Sequence, residues 1–170
     1  MLSKKLYLAT LAIVPALFVA APRASAQSTT PCYTVASLDG DYAVVGNYGA
    51  NLGVAFGKRT LDGKGSFTGT FTVNKPTPGS TTGERTIVSG TQAGTYTVNC
   101  NGTGVITRIL TVGTTQTLQY DDFVIIGSIL KDGRLIATSV ADAQRTPSTI
   151  VAGGIFLTRV WTRVPQAPED

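Results

Sequence analysis

The chain of 170 residues contains no histidine. That absence excludes a Ser-His-Asp triad, a Cys-His pair and any His-ligated metal centre. Charge is scarce, with 14% of residues charged, and there are only 2 cysteines, 1 methionine and 1 tryptophan. No phosphate loop, dinucleotide fingerprint or zinc spacing occurs, so no cofactor is called for. Beyond the first 26 residues no segment is long and apolar enough to span a bilayer as a helix. The length suits one domain.

What is present begins with an export pattern. Lys4 and Lys5 precede the apolar stretch Leu6 to Ala21, and Ala24-Ser25-Ala26 forms a small-residue cleavage site. Residues 1–26 therefore read as a signal peptide, with the mature chain starting at Gln27 and destined for the periplasm or the exterior. Lys4, Lys5 and Arg23 are three of the 14 basic residues. Their removal leaves 11 against 10 acidic residues, a net charge of +1, which gives nucleic-acid binding no compositional support. In an exported chain the two cysteines, Cys32 and Cys100, predict one disulfide. Residues 27–37 form a leader tied down by it, 38–164 the domain, and 165–170 a polar tail.

From Leu38 onward short runs rich in Val, Ile, Thr, Tyr and Phe are cut by Gly, Asn and Asp, the punctuation of strands and turns. In Ser66–Asn74, Phe67, Phe71 and Val73 share one face, and Thr68, Thr70 and Thr72 the other. Further runs are 41–48, 52–61, 86–92, 95–99, 104–112, 117–130, 135–143 and 155–164. Asp62-Gly63-Lys64-Gly65, Cys100-Asn101-Gly102 and Lys131-Asp132-Gly133-Arg134 are turns. The first looks like a fragment of a calcium loop but lacks the closing Glu. Asn101-Gly102-Thr103 fits a glycosylation sequon. Some runs merge, and the pattern predicts an all-β fold, an antiparallel up-and-down barrel of about eight strands, with a β-sandwich as the alternative. Gly46, Gly53, Gly57, Gly69, Gly90 and Gly127 lie inside strand patterns and suggest bulges or bends. An outer-membrane barrel would need a continuous apolar outer face, which the threonine face of Ser66–Asn74 does not supply.

Leu38-Asp39-Gly40-Asp41-Tyr42 resembles the opening of the first strand in calycin barrels, in which an aromatic is covered by an arginine from the last strand. The resemblance places Tyr42 in the aromatic role and Arg159 or Arg163 in the arginine role. The segments Leu61–Ser66, Gly94–Cys100 and Tyr120–Ile125 are similar to small exported bacterial proteins with barrels of the allene oxide cyclase type. The resemblance implies an eight-stranded barrel with a central cavity. It does not imply the cyclase reaction.

Charged residues on apolar faces are the informative ones. Arg108 lies between Ile106 and Leu110, Arg159 between Leu157 and Trp161, and Asp122 between Tyr120 and Val124. Each can orient the polar end of a ligand inside the barrel. Equally, each can cover apolar surface, or Arg159 can stack on Tyr42 at the barrel end. Asp121 and Asp122, adjacent on a strand, face opposite sides and cannot pair. With the aromatics, the candidate ligand-binding set is Tyr42, Phe56, Phe71, Tyr96, Arg108, Tyr120, Arg159 and Trp161. Three functions fit: an exported barrel binding a small, mostly apolar molecule, a cofactor-free cyclase or isomerase, and a solid-core envelope or surface interaction module.

Overall fold

The computed structural model describes residues 31–47, 53–147 and 156–165. The expected signal peptide, the start of the leader, Tyr48 and most of the loop before the last strand and of the tail lie outside the described residues. Eight strands form one closed barrel: β1 (Gly40–Asn47), β2 (Val54–Leu61), β3 (Ser66–Pro76), β4 (Arg85–Val98), β5 (Thr103–Val112), β6 (Thr115–Lys131), β7 (Arg134–Gln144) and β8 (Thr158–Arg163). Each strand pairs antiparallel with the next, and β8 closes on β1. The up-and-down barrel expected from alternation and turn spacing is the fold, and the sandwich is not.

The expected separate runs at 86–92 and 95–99 are one strand. Ala93 and Gly94 keep the ladder to both neighbours, with Gly94 opposite Phe67 on β3 and Arg108 on β5. A side chain there would meet the Thr107 carbonyl and the Arg108 Cα, so this glycine makes room rather than a turn. The same correction applies to Gly46, Gly57, Gly69 and Gly90, through which pairing runs unbroken. Of the expected bulge glycines, Gly127 does sit at a register shift, between β6 and β7.

Tight turns set the register. Asp62 accepts hydrogen bonds from the amides of Lys64 and Ser66, 2.8 and 2.9 Å long, so its carboxylate holds the turn. Among the described residues no group of acidic or cysteine side chains is arranged to hold a metal.

One end of the barrel is plugged. A short 3-10 helix (Val35–Leu38) carries the fully buried Leu38 against the core. Tyr33 bonds Ser128 at 2.7 Å, and Tyr96 donates to the Val35 carbonyl. The Cys32–Cys100 disulfide anchors this plug to the β4–β5 turn. Above it lies the main apolar cluster, which includes Tyr42, Leu61, Phe67, Ile106, Phe123 and Trp161. A smaller cluster of Ala55, Val73 and Leu157, with Phe71 against it, lies toward the other end. No described helix is long and apolar enough to cross a membrane.

Candidate functional site: a charged layer inside the barrel

Between the two apolar clusters the interior turns polar. Arg59 on β2, Gln92 on β4, Arg108 on β5, Gln119 and Asp121 on β6, Asp142 and Gln144 on β7, and Arg159 on β8 are all buried. Each sits at an inward position of its strand, where pleating alternates faces. Buried charge is costly unless paired and hydrogen-bonded, and this layer is built of such pairs.

Asp142 is one hub. Its Oδ1 accepts from Arg159 Nε at 2.6 Å, and its Oδ2 accepts from Arg59 Nη1 at 3.0 Å and from the Trp161 indole at 2.7 Å. Asp121 is the other. Its Oδ2 accepts from Arg108 Nε at 2.6 Å, and Arg159 Nη2 lies 2.7 Å from its Oδ1 as an ion pair without hydrogen-bond alignment. Arg59 also donates to Gln92 and lies 4.3 Å over the Trp161 ring. Arg108 donates to Gln119 at 2.7 Å, and Gln144 donates to the same Gln119 oxygen.

Protonation equilibria follow from this arrangement. Burial pushes Arg59 down to about 9; Asp142 opposes that shift, and Arg159 and Arg108 add to it. Burial and the neighbouring Arg159 also lower Arg108. Burial alone would raise Asp121, but Arg159 and Arg108 outweigh it and hold its carboxyl below its ordinary value. For Arg159, burial is outweighed by Asp142 and Asp121, and the guanidinium is raised.

Next to this layer is a partly enclosed cavity of about 30 Å³, room for about two water molecules. Val44, Ala55, Phe71, Val73, Leu110 and Leu157 form its apolar walls, and the arginines and glutamines of the layer form its polar side.

Of the candidate ligand-binding residues, the structure turns Tyr42, Phe71, Tyr96, Arg108, Arg159 and Trp161 inward. Phe71, Arg108 and Arg159 line the cavity, Phe56 also borders it, and Trp161 meets the lining where Arg59 lies over its indole ring. Tyr42 and Tyr96 belong to the plugged end. Phe56 and Tyr120 have the opposite parity, with 56% and 38% of their surface exposed. Asp122 likewise points outward and pairs with Arg145 at 2.6 Å. The carboxylate that faces inward is its neighbour Asp121.

Arg159 does not stack on Tyr42; Arg163 does. Arg163 lies 4.9 Å from the Tyr42 ring centroid and donates to its hydroxyl at 2.7 Å, and the two residues are register partners on the closing strands. Tyr42 in turn donates to the Ala137 carbonyl. Burial pushes the Tyr42 phenol up to about 12 against the opposing pull of Arg163.

Sequence reasoning missed Arg59, Asp121, Asp142 and the three glutamines. The alternation of Arg59 with Leu61 across Lys58 and Thr60 was the available signal for one of them. The chain matches no protein-family model and no curated protein.

Proposed function

We propose that the chain is an exported barrel that binds a small, mostly apolar ligand inside, with the ligand's polar end against Arg108 and Arg159. The carrying observation is a cavity with apolar walls on one side and convergent buried polar groups on the other. A single polar group fills it. A larger ligand displaces half-buried Phe71, whose cross-strand neighbours Gly57 and Gly90 carry no side chain to hold it. The disulfide supports export, since such bonds persist in oxidising compartments. The Tyr42–Arg163 contact supports the proposed likeness to calycin barrels.

A second reading, a solid-core interaction module, is favoured by the small size of the cavity. It is favoured also by an outer cross-strand row running from Phe56 through Val45, Val160 and Ala141 to Val124, in which all but Ala141 are exposed. Native mass spectrometry of the chain from Gln27 onward, purified gently from an exporting host, decides between them. A retained mass that leaves on denaturation is the expected result. A bare oxidised polypeptide that takes up nothing from a mixture of lipophilic compounds would overturn the binding reading and favour the module.

A further inference from the structure

Among the described residues, the interior layer holds three arginines against two aspartates, one positive charge in excess. Its hydrogen bonds are lopsided in the same sense. The side-chain oxygens of Gln92, Gln119 and Gln144 all accept, from Arg59, Arg108 and the Leu157 amide respectively. Both carboxylates are occupied on each oxygen. What is left over is donors. Gln119 Nε2 is buried with no partner, and Gln119, 1% exposed, lines the cavity. Arg159 Nη2 is likewise buried without an aligned acceptor, held only as an ion pair against Asp121 Oδ1, and Arg159 and Arg108 both line the cavity. Surplus charge and surplus donors thus border one small space. A buried donor without a partner is costly, and an uncompensated buried charge is more so.

We infer that this cavity is a site for one small monoanion, of halide or formate size, held by Arg108 and Gln119 as a counterion within the fold. The volume of about 30 Å³ suits an ion of that size and excludes bulky anions. The same chemistry can be supplied by a free ion or by the carboxylate end of a longer ligand. The latter source rests on the binding function proposed above, and the former does not.

The test uses the disulfide-intact chain from Gln27 onward in sodium gluconate buffer at fixed ionic strength. Formate or chloride replaces gluconate stepwise while Tm is followed. Binding of octanoate and octanol is titrated separately through the fluorescence of Trp161, which adjoins the layer. The expected result is a saturable rise in Tm of several degrees with formate or chloride. Arg108→Gln, which leaves the layer neutral, should abolish the rise. Asp121→Asn, which doubles the excess charge, should shift its midpoint to about tenfold lower anion concentration. Because either variant can fail to fold, the wild-type series stands alone as the deciding measurement.

A rise with small anions but no binding of octanoate or octanol supports a free-ion site and overturns the apolar-ligand reading. Octanoate bound at least tenfold more tightly than octanol, together with the rise, supports a site filled by a ligand's carboxylate. Equal binding of octanoate and octanol with no anion effect overturns the anion site and leaves the binding function standing. No response to any of the four overturns both.

Discussion

Asp142 is the residue on which most interior contacts converge. It takes hydrogen bonds from two arginines and from the only tryptophan of the chain. Asp142→Asn would leave Arg59 and Arg159 with a weaker, neutral acceptor, and removing one partner of a buried ion pair typically costs about 3–5 kcal/mol. Urea unfolding followed by Trp161 fluorescence should show a loss of that order. Asp121 gives the layer an acid dependence. Its carboxyl is held below the ordinary value once the arginines outweigh burial. Around pH 4 the unfolded chain therefore binds more protons at this residue than the folded chain does. Its contribution is present above the unfolded pKa of roughly 3.9 and is lost as pH falls through the lower folded value. Stability measured from pH 6 down to pH 2 should fall less steeply in Asp121→Asn than in the wild type.

At the scale of elements, large inward side chains are matched to glycines on the neighbouring strand. Gly104 on β5 is the register partner of Phe123 on β6. A Cβ at Gly104 would run into the Phe123 ring and into the Thr97 carbonyl of β4, a backbone atom that cannot swing away. Gly104→Ala should destabilise the barrel by about 1–3 kcal/mol through overpacking, although alanine is otherwise the better strand residue. Chemical denaturation is the measurement, and an unchanged midpoint would mean that the β4–β5–β6 wall is looser than its geometry indicates. The Gly127 register shift works differently. It ends the strict alternation on β7, where Ala137 and Val140, three residues apart, are both fully buried.

For the whole molecule, the disulfide and the Tyr42–Arg163 contact secure the same end of the barrel. Cys32 and Cys100 are 68 residues apart, so in the chain-entropy account the bond stabilises the fold by roughly 4 kcal/mol. Its closed loop spans β1 to β4, and the bond also fixes the segment bearing Tyr33 and the 3-10 helix. The double variant Cys32→Ser/Cys100→Ser should lose about that amount of stability in urea. It should also expose Tyr33 and Val35 to faster hydrogen exchange while the amides of β6 stay protected. Uniform loss of protection across all eight strands would instead mean that the plug is required for closure.

How much of this was legible in the sequence differs between the fold and the site. The barrel was legible because its signals are local. Strict alternation in Ser66–Asn74, Asp-Gly and Asn-Gly at the turns and two cysteines in a chain with an export pattern each act over a few residues. The inward arginines Arg108 and Arg159 were legible for the same reason, since each is flanked at two-residue spacing by apolar residues that are themselves buried. Asp122 met the same criterion and points outward, because Tyr120 and Val124 belong to the exposed face. The choice between Asp121 and Asp122 is one residue of register, and only Arg108 and Arg159, brought over from β5 and β8, make the inward carboxylate tolerable. Arg59 and Asp142 are 83 residues apart, and in the linear chain neither has a neighbour that reveals its partner. Closure of the barrel places six strands' polar residues at one height, and in that dry interior a charge is retained only beside its opposite.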